Sequence, residues 1–346
     1  MLKKLIPLLL CLCLALSTGC SKKNETLSVD QGSEPSSVPE AVVEETKAVN
    51  PLTGLNDVSD EDAKNRPVAI MVNNISIAQP VQTGLCKADV IYETEVEGGI
   101  TRLMAVFQDI ANVEKIGTVR SARYAYIDLA MGHNAIYVHH GVEATYAKPH
   151  LADADTLVLG TNNGGARISN GLAKEHTLYA YGSKLWNTIK SSKFTLENKN
   201  TATWLNFADK DQPVTLSNTA NSVSVPFSGS YKTTFKYDAA TGRYVRYFNG
   251  TERKDYNTSE TVTVKNVFVL NTNIGSYAIE KLRKIDLQSG SGYYCVNGTY
   301  TPITWSKGAS SNSFVFKNTD GSELTVNPGN SWVCIADKSK SQPIFE

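Results

Sequence analysis

Thr261-Val262-Thr263-Val264-Lys265-Asn266-Val267-Phe268-Val269-Leu270 opens with strand-like alternation and closes in an apolar run around Val267. A strand that faces water on one side alternates polar and apolar residues, so a sustained apolar run predicts a strand covered on both faces. This stretch therefore reads as the central strand of a sheet. Outward from it, Val223–Phe227, Tyr231–Tyr237 and Tyr244–Phe248 are rich in Thr, Tyr, Phe and Val, and are separated by the turn Asp238-Ala239-Ala240-Thr241-Gly242. Asn249-Gly250, Asn297-Gly298 and Asp320-Gly321 are further turn pairs, and Asn-Gly suits the positive φ of a tight hairpin. With Tyr293–Val296, Ser313–Phe316, Leu324–Val326 and Trp332–Ile335 they predict a twisted, mainly antiparallel β region over residues 205–340.

The preceding stretch has a different texture. Val68–Val72, Asp89–Val96, Arg102–Phe107 and Ala135–Val138 are strand candidates, while Ser121–Met131 reads as a helix capped by Ser121, and Gly182–Ile189 as a second helix. Residues 50–200 thus form a mixed α/β domain, and the fold class is α+β, with this domain followed by the β-rich one.

At the N-terminus, Lys3 and Lys4 precede the apolar stretch Leu5–Leu16, and Leu16-Ser17-Thr18-Gly19-Cys20 follows. This is the pattern of a lipoprotein signal peptide over residues 1–19, too short for a span of about 20 residues, with Cys20 becoming a lipidated first residue. An ordinary secreted protein cut near Ala15 or Gly19 is the alternative. Residues 20–49, rich in Ser, Glu, Pro, Val and Lys, bury too little to order themselves and read as a tether. The expected location is the extracytoplasmic face of the cell membrane, held by lipid.

Lys and Arg number 34 against 34 Asp and Glu, so no net charge draws the chain to nucleic acid. An apolar content of 41% supplies enough material for two cores. Beyond the anchor, three cysteines remain; Cys295 and Cys334 could pair or stay as buried thiols, and Cys86 is left over.

Asn50-Pro51-Leu52-Thr53-Gly54-Leu55, Arg66–Asn74, Ala88–Glu93, Val96–Arg102 and Ile116–Arg123 resemble, in order, signatures of the YerB-like lipoprotein family. Phe235-Lys236-Tyr237-Asp238 with Thr241–Tyr244, and Asn327–Trp332, are similar to that family's C-terminal domain. The resemblance spans residues 50–340 and implies a membrane-anchored, two-domain extracytoplasmic protein. It implies no catalytic residue, because the family has no settled activity. Where the family pattern tends to Pro-His-Asn, this chain has Glu175-His176-Thr177.

Glu93, Glu95 and Glu97 are spaced to share one face of a strand, followed by Gly98-Gly99 and Arg102. Such a row is solvated or arginine-paired, or else raises a carboxyl pKa for acid/base use. Arg120-Ser121-Ala122-Arg123, at the start of the expected helix, is a candidate anion site; pairing of its arginines with Glu93, Glu97 or Asp128 is the competing reading. His139 and His140 point to opposite faces, so at most one enters a given pocket. Asn162-Asn163-Gly164-Gly165 with Arg167 reads as a surface loop or a lid. The aromatics Tyr231, Tyr237, Tyr244, Tyr247, Phe248, Tyr293, Tyr294, Tyr300, Trp305 and Trp332 either fill the sheet's core or offer a sugar or peptide platform.

The chain has no zinc spacing, phosphate loop or nucleophile elbow, so no metal or cofactor is expected. Binding of an anionic or carbohydrate envelope ligand, or of an envelope protein, is the leading expectation, through Glu97, Arg102, Arg120, Arg123, His139, His140 and Arg167. A wall-acting hydrolase or transferase using Glu93 or Glu97 with His139, His140 or His176 is the alternative. A scaffold regulating a membrane-bound wall enzyme is the third.

Overall fold

A computed structural model describes residues 47–199, 202–278 and 281–346. The expected signal peptide, Cys20 and nearly all of the tether lie outside the described residues. Among the described residues no helix is long and apolar enough to cross a membrane.

The first half contributes strands β1 (Val68–Val72), β2 (Val90–Glu95) and β3 (Thr101–Phe107), helix α1 (Tyr124–Gly132), then β4 (Ile136–His139), β5 (Thr156–Val158), β6 (Gly165–Arg167), β7 (Leu178–Ala180) and helix α2 (Gly182–Ser191). The second half adds β8 (Ser222–Ser228), β9 (Tyr231–Asp238), β10 (Arg243–Phe248), β11 (Thr263–Val264), β12 (Asn266–Thr272), β13 (Ser289–Val296), β14 (Thr299–Ser306) and β15 (Ser331–Asp337). The α+β class is as expected: a mixed first half and a mainly antiparallel second half.

One eleven-stranded sheet runs through both halves. Its order from one edge is Asn218–Thr219, β14, β13, β12, β15, β2, β3, β1, β4 and β5, with Val315–Asn318 alongside β14. The second half is not wholly antiparallel, because β15 runs parallel to both β12 and β2. A parallel neighbour requires a crossover, and the chain between β14 and β15 makes one, burying Phe314, Phe316, Leu324 and Val326 on one face of the sheet.

The Thr261–Leu270 run serves two sheets. Thr263–Val264 pairs with Tyr244 and Val245 of β10 in a six-stranded sheet, and after Lys265 the chain enters the large sheet as β12, between β13 and β15. Every residue of β12 is buried. The two faces of the large sheet are separate cores, and each draws on both halves of the chain. Val68, Ile70 and Val72 of β1 join Trp332, the inner residues of β8–β10 and Leu185 and Ile189 of α2. Ala69 and Met71 face the other way, to Tyr126 and Ile127 of α1 and Phe268 of β12. Two covered faces are why these strands read as unbroken apolar runs.

Helix α1 begins at Tyr124, three residues later than predicted, and Ser121 does not cap it. Residues 120–122 are extended instead: Arg120 N–H donates to Met71 O and Ala122 N–H to Gly141 O. Strand-like pairing has taken the amides that a helical turn would have left free. Cys295 and Cys334 are free thiols opposite Val267 and Val269, with β12 between them. The strand aromatics mostly fill cores, Tyr244, Tyr294 and Trp332 being fully buried.

The N-terminal Asn50 is fastened to Asp89, whose carboxylate accepts from Asn50 Nδ2 (2.9 Å) and Gln108 N–H (2.7 Å). Burial nevertheless pushes the Asp89 carboxyl up to about 7. Unfolded, it releases its proton near about 3.9, so between these values the folded state holds more protons and stability falls as pH rises. The urea midpoint should therefore decline from pH 5 to pH 8, and Asp89→Asn should flatten that slope.

Candidate functional site

Strands β1, β4 and β5 are mutually parallel, and the chain leaves their carboxyl ends at Asn73, His140 and Leu159. Crevices beyond the carboxyl ends of parallel strands are the usual ligand sites of open sheets. Here such a crevice holds about 390 Å³, lined by Val119, Arg120, Ser121, His140, Gly141, Arg167, Lys174 and Glu175. The hairpin formed by β6 and β7, with the 168–177 loop between them, supplies its outer wall.

Three cations and one carboxylate face this cavity. Arg167 Nη1 donates to Lys174 O (2.6 Å) and its Nη2 to His140 Nε2 (3.1 Å). Because that nitrogen accepts, the proton of the neutral ring sits on Nδ1, which donates to Leu159 O (2.8 Å). His140 is thereby a fixed strut that aims Arg167. Arg120 Nη1 donates to Glu175 O (2.9 Å), and its Nη2 lies 4.0 Å from Glu175 Oε1. Its Nε is enclosed without a partner among the described residues, and burial lowers the arginine's pKa, with Glu175 opposing. Glu175 is largely exposed and also reaches His176 Nε2 at 3.4 Å. His176, buried behind it, takes Asn73 Nδ2 on Nδ1 (2.8 Å), and burial followed by the charge of Arg120 holds its pKa down. This donor set suits an anion; a cation would meet three positive side chains.

The remaining predicted residues lie elsewhere. Arg102 supports the site from behind: it is buried, donates to Ser121 O (2.8 Å), and is lowered to about 10 by burial and then by Arg123. Arg123 turns away to clasp Glu97 with Nε and with Nη2 (3.2 Å). Burial raises the Glu97 pKa, but this clasp outweighs it and leaves the carboxyl below its ordinary value. That pair lies under the Ile274–Ser276/Arg283–Ile285 hairpin with Tyr124, Tyr146 and Tyr277, where only about 20 Å³ is open. His139 points away from the cavity, donating to Gly141 O (2.7 Å) and accepting from Thr156 Oγ1 (2.8 Å).

The acidic row does not act as a row. Glu95 pairs with Arg283 (2.5 Å), and Glu97 has left the strand through Val96 toward Gly98, whose φ is 69°. Glu93 is fully buried between the two sheets. It accepts from Asn74 Nδ2 (3.0 Å), Thr101 Oγ1 (2.8 Å), Thr233 Oγ1 (3.0 Å) and Trp332 Nε1 (3.1 Å). Among the described residues Glu93 has no exposed surface, and neither Glu93 nor Glu97 lines the cavity that His140 and Glu175 share. The 162–165 loop is not a lid either: Gly164 (φ +103°) is pressed on α2, where a Cβ would come within 2.6 Å of Leu185 Cα.

Lys174 and Glu175 complete the cavity and were not singled out as ligand groups from sequence. Their signal is slight, since a loop lysine and glutamate look like ordinary surface residues until the β6–β7 hairpin folds them back.

The chain belongs to the family described as "Protein of unknown function (DUF3048)", whose N-terminal domain matches residues 52–195 and whose C-terminal domain matches residues 223–333. It is 29% identical over 294 residues to "Putative lipoprotein YerB" of Bacillus subtilis (strain 168), covering 82% of this chain and 85% of that relative. The crystal structure of YerB protein from Bacillus subtilis is similar with a TM-score of 0.73 at 27% identity, over 86% of this chain and 99% of that one.

Proposed function

We propose that this chain is a lipoprotein, anchored outside the cell membrane through lipid on Cys20, whose cavity captures an anionic group of an envelope component. The Leu16–Cys20 signature and the lipoprotein name of the Bacillus relative support the anchor. The observation that carries the binding reading is the convergence of Arg120, Arg167 and Lys174 on one open cavity beyond β1, β4 and β5. Arginine forks match planar or tetrahedral oxyanions, and part of the Arg120 guanidinium is already stripped of water. The hydrolase reading is less well supported, because Glu93 is sealed and Glu97 is clasped by Arg123.

Inorganic phosphate and citrate are suitable probes. A saturating probe raises stability by about 2.7 kcal/mol at a hundredfold excess over Kd, which a thermal melt registers. Arg120→Gln and Arg167→Gln should each remove most of that shift while leaving the unliganded melt nearly unchanged. The shift should also shrink with added sodium chloride. Equal stabilisation in both variants would remove the cavity from the account.

A further inference from the structure

A larger cleft, about 680 Å³, opens at the opposite end of the same sheet, before β1 and β4, with residues 198–199 and 202–206 on its wall. Its volume is in the range of small-molecule sites, roughly 300–1,000 Å³. Its chemistry is the reverse of the cationic cavity. The charged side chains on its walls are one lysine, Lys199, and one glutamate, Glu323. Charge therefore gives it no preference for an anion.

The indole of Trp204 forms one wall and is half-buried. Its Nε1 donates to Leu52 O (2.6 Å), and its ring packs edge-on to Phe316 (6.3 Å, 85°) and tilted to His133 (5.1 Å, 56°), so its plane is held before any ligand arrives. The His133 ring is held in turn by Tyr92 OH at Nε2 (2.7 Å). Polar groups face the same space. Asn134 uses its Nδ2 on Asn198 and Asn206 its Nδ2 on Thr325, which leaves both amide oxygens available, and the Glu323 carboxylate is exposed. A fixed aromatic plate ringed by amide and carboxylate acceptors, without net charge, matches a ligand with a C–H face and a rim of hydroxyl donors. An apolar ligand would desolvate those acceptors without pairing them.

We propose that this cleft is a second binding site, for a neutral pyranoside of one or two sugar units, stacked on Trp204 and hydrogen-bonded through Asn134, Asn206 and Glu323. The site is independent of the anion cavity.

The test is calorimetric titration of the protein with N,N′-diacetylchitobiose and with cellobiose, using glycerol as control. At least one disaccharide should bind at a single site with a Kd in the range of about 0.1–10 mM. Trp204→Leu should weaken that binding about tenfold or more, as loss of a stacking partner does. Asn206→Ala and Glu323→Gln, both at exposed positions, should each weaken it severalfold with an unchanged melting temperature. Saturating phosphate should leave the sugar isotherm unaltered, and Arg120→Gln should do the same. Absence of saturable heat with either disaccharide up to roughly 50 mM, well above any useful affinity, overturns the proposal. So does binding that Trp204→Leu, Asn206→Ala and Glu323→Gln all leave intact.

Discussion

Arg246→Met is expected to cost on the order of 3 kcal/mol of folding stability, the scale of losing charge-assisted hydrogen bonds and leaving a buried acceptor unpaired. Arg246 and Glu93 are both fully buried where the six-stranded sheet meets the large one. Burial is the largest influence on each: it raises the Glu93 pKa and lowers that of Arg246 to about 10, while each charge counteracts the shift of the other. The guanidinium lies over the Trp332 ring at 4.7 Å and donates to Asn74 Oδ1 (3.1 Å) and Gln82 Oε1 (3.3 Å). Methionine fills much of the volume but removes the positive charge that opposes desolvation of Glu93 and leaves Gln82 Oε1 without its guanidinium donor, while Asn74 Oδ1 still accepts from Gln79 and Gln82. Against a typical total of about 5–15 kcal/mol, urea unfolding should show a large drop in midpoint. Glu93→Gln combined with Arg246→Met should be more stable than Arg246→Met alone, because the unpaired charge is gone. A midpoint within experimental error of the parent for Arg246→Met would mean that the Arg246 guanidinium does not hold the sheets together.

Gly182→Ala is expected to be comparably damaging, at about 3 kcal/mol, for a steric reason. Gly182 opens α2, and an added Cβ would come within 2.0 Å of Ile110 O and 2.2 Å of Val113 O. Both obstacles are backbone, and the Gly182 N–H is itself bonded to Val113 O (3.0 Å), so the helix cannot yield without losing that bond. Shifting α2 would withdraw Leu185 and Ile189 from the core and would move the surface against which Gly164 packs. Because Gly164 leads into β6, which ends at Arg167, phosphate affinity should fall along with the urea midpoint. Gly171→Ala serves as the comparison: unlike Gly182 it has a positive φ (+80°), but no atom lies within 4 Å of the added Cβ. Its cost should be the smaller one of backbone strain, about 1–2 kcal/mol.

The legibility of this fold followed burial. Runs such as Val68–Val72 and Val267–Leu270 announced strands covered on both faces, and that is where they lie. Sequence could not reveal that β15 would join β2 and make one sheet of both halves, because strand pairing between distant segments leaves no local periodicity. The break at Lys265, where one apolar run passes between two sheets, was equally silent. At the site, Arg120 was legible as a basic residue before a helix, His140 as a histidine at a strand end and Arg167 only as part of a polar loop; adjacency on a strand limited the histidines to at most one in a given pocket, and His140 is the one that lines the cavity. Strand spacing could not assign partners to Glu93, Glu95 and Glu97: Glu95 and Glu97 are arginine-paired, one of the two readings of the row, but Glu97 lies beyond the end of β2 and Glu93 is sealed between the sheets.

The central claim, capture of an anion between Arg120 and Arg167, is tested most directly by following the imidazole resonances of His140 by NMR while inorganic phosphate is added. His140 receives a hydrogen bond from Arg167 and lines the cavity, whereas His139 is turned away. The account predicts a saturable shift of the His140 ring signals at one site, little change at His139, and loss of the response in Arg120→Gln. Phosphate-induced shifts confined to other surfaces, or a His140 response that persists undiminished in Arg120→Gln, would contradict it.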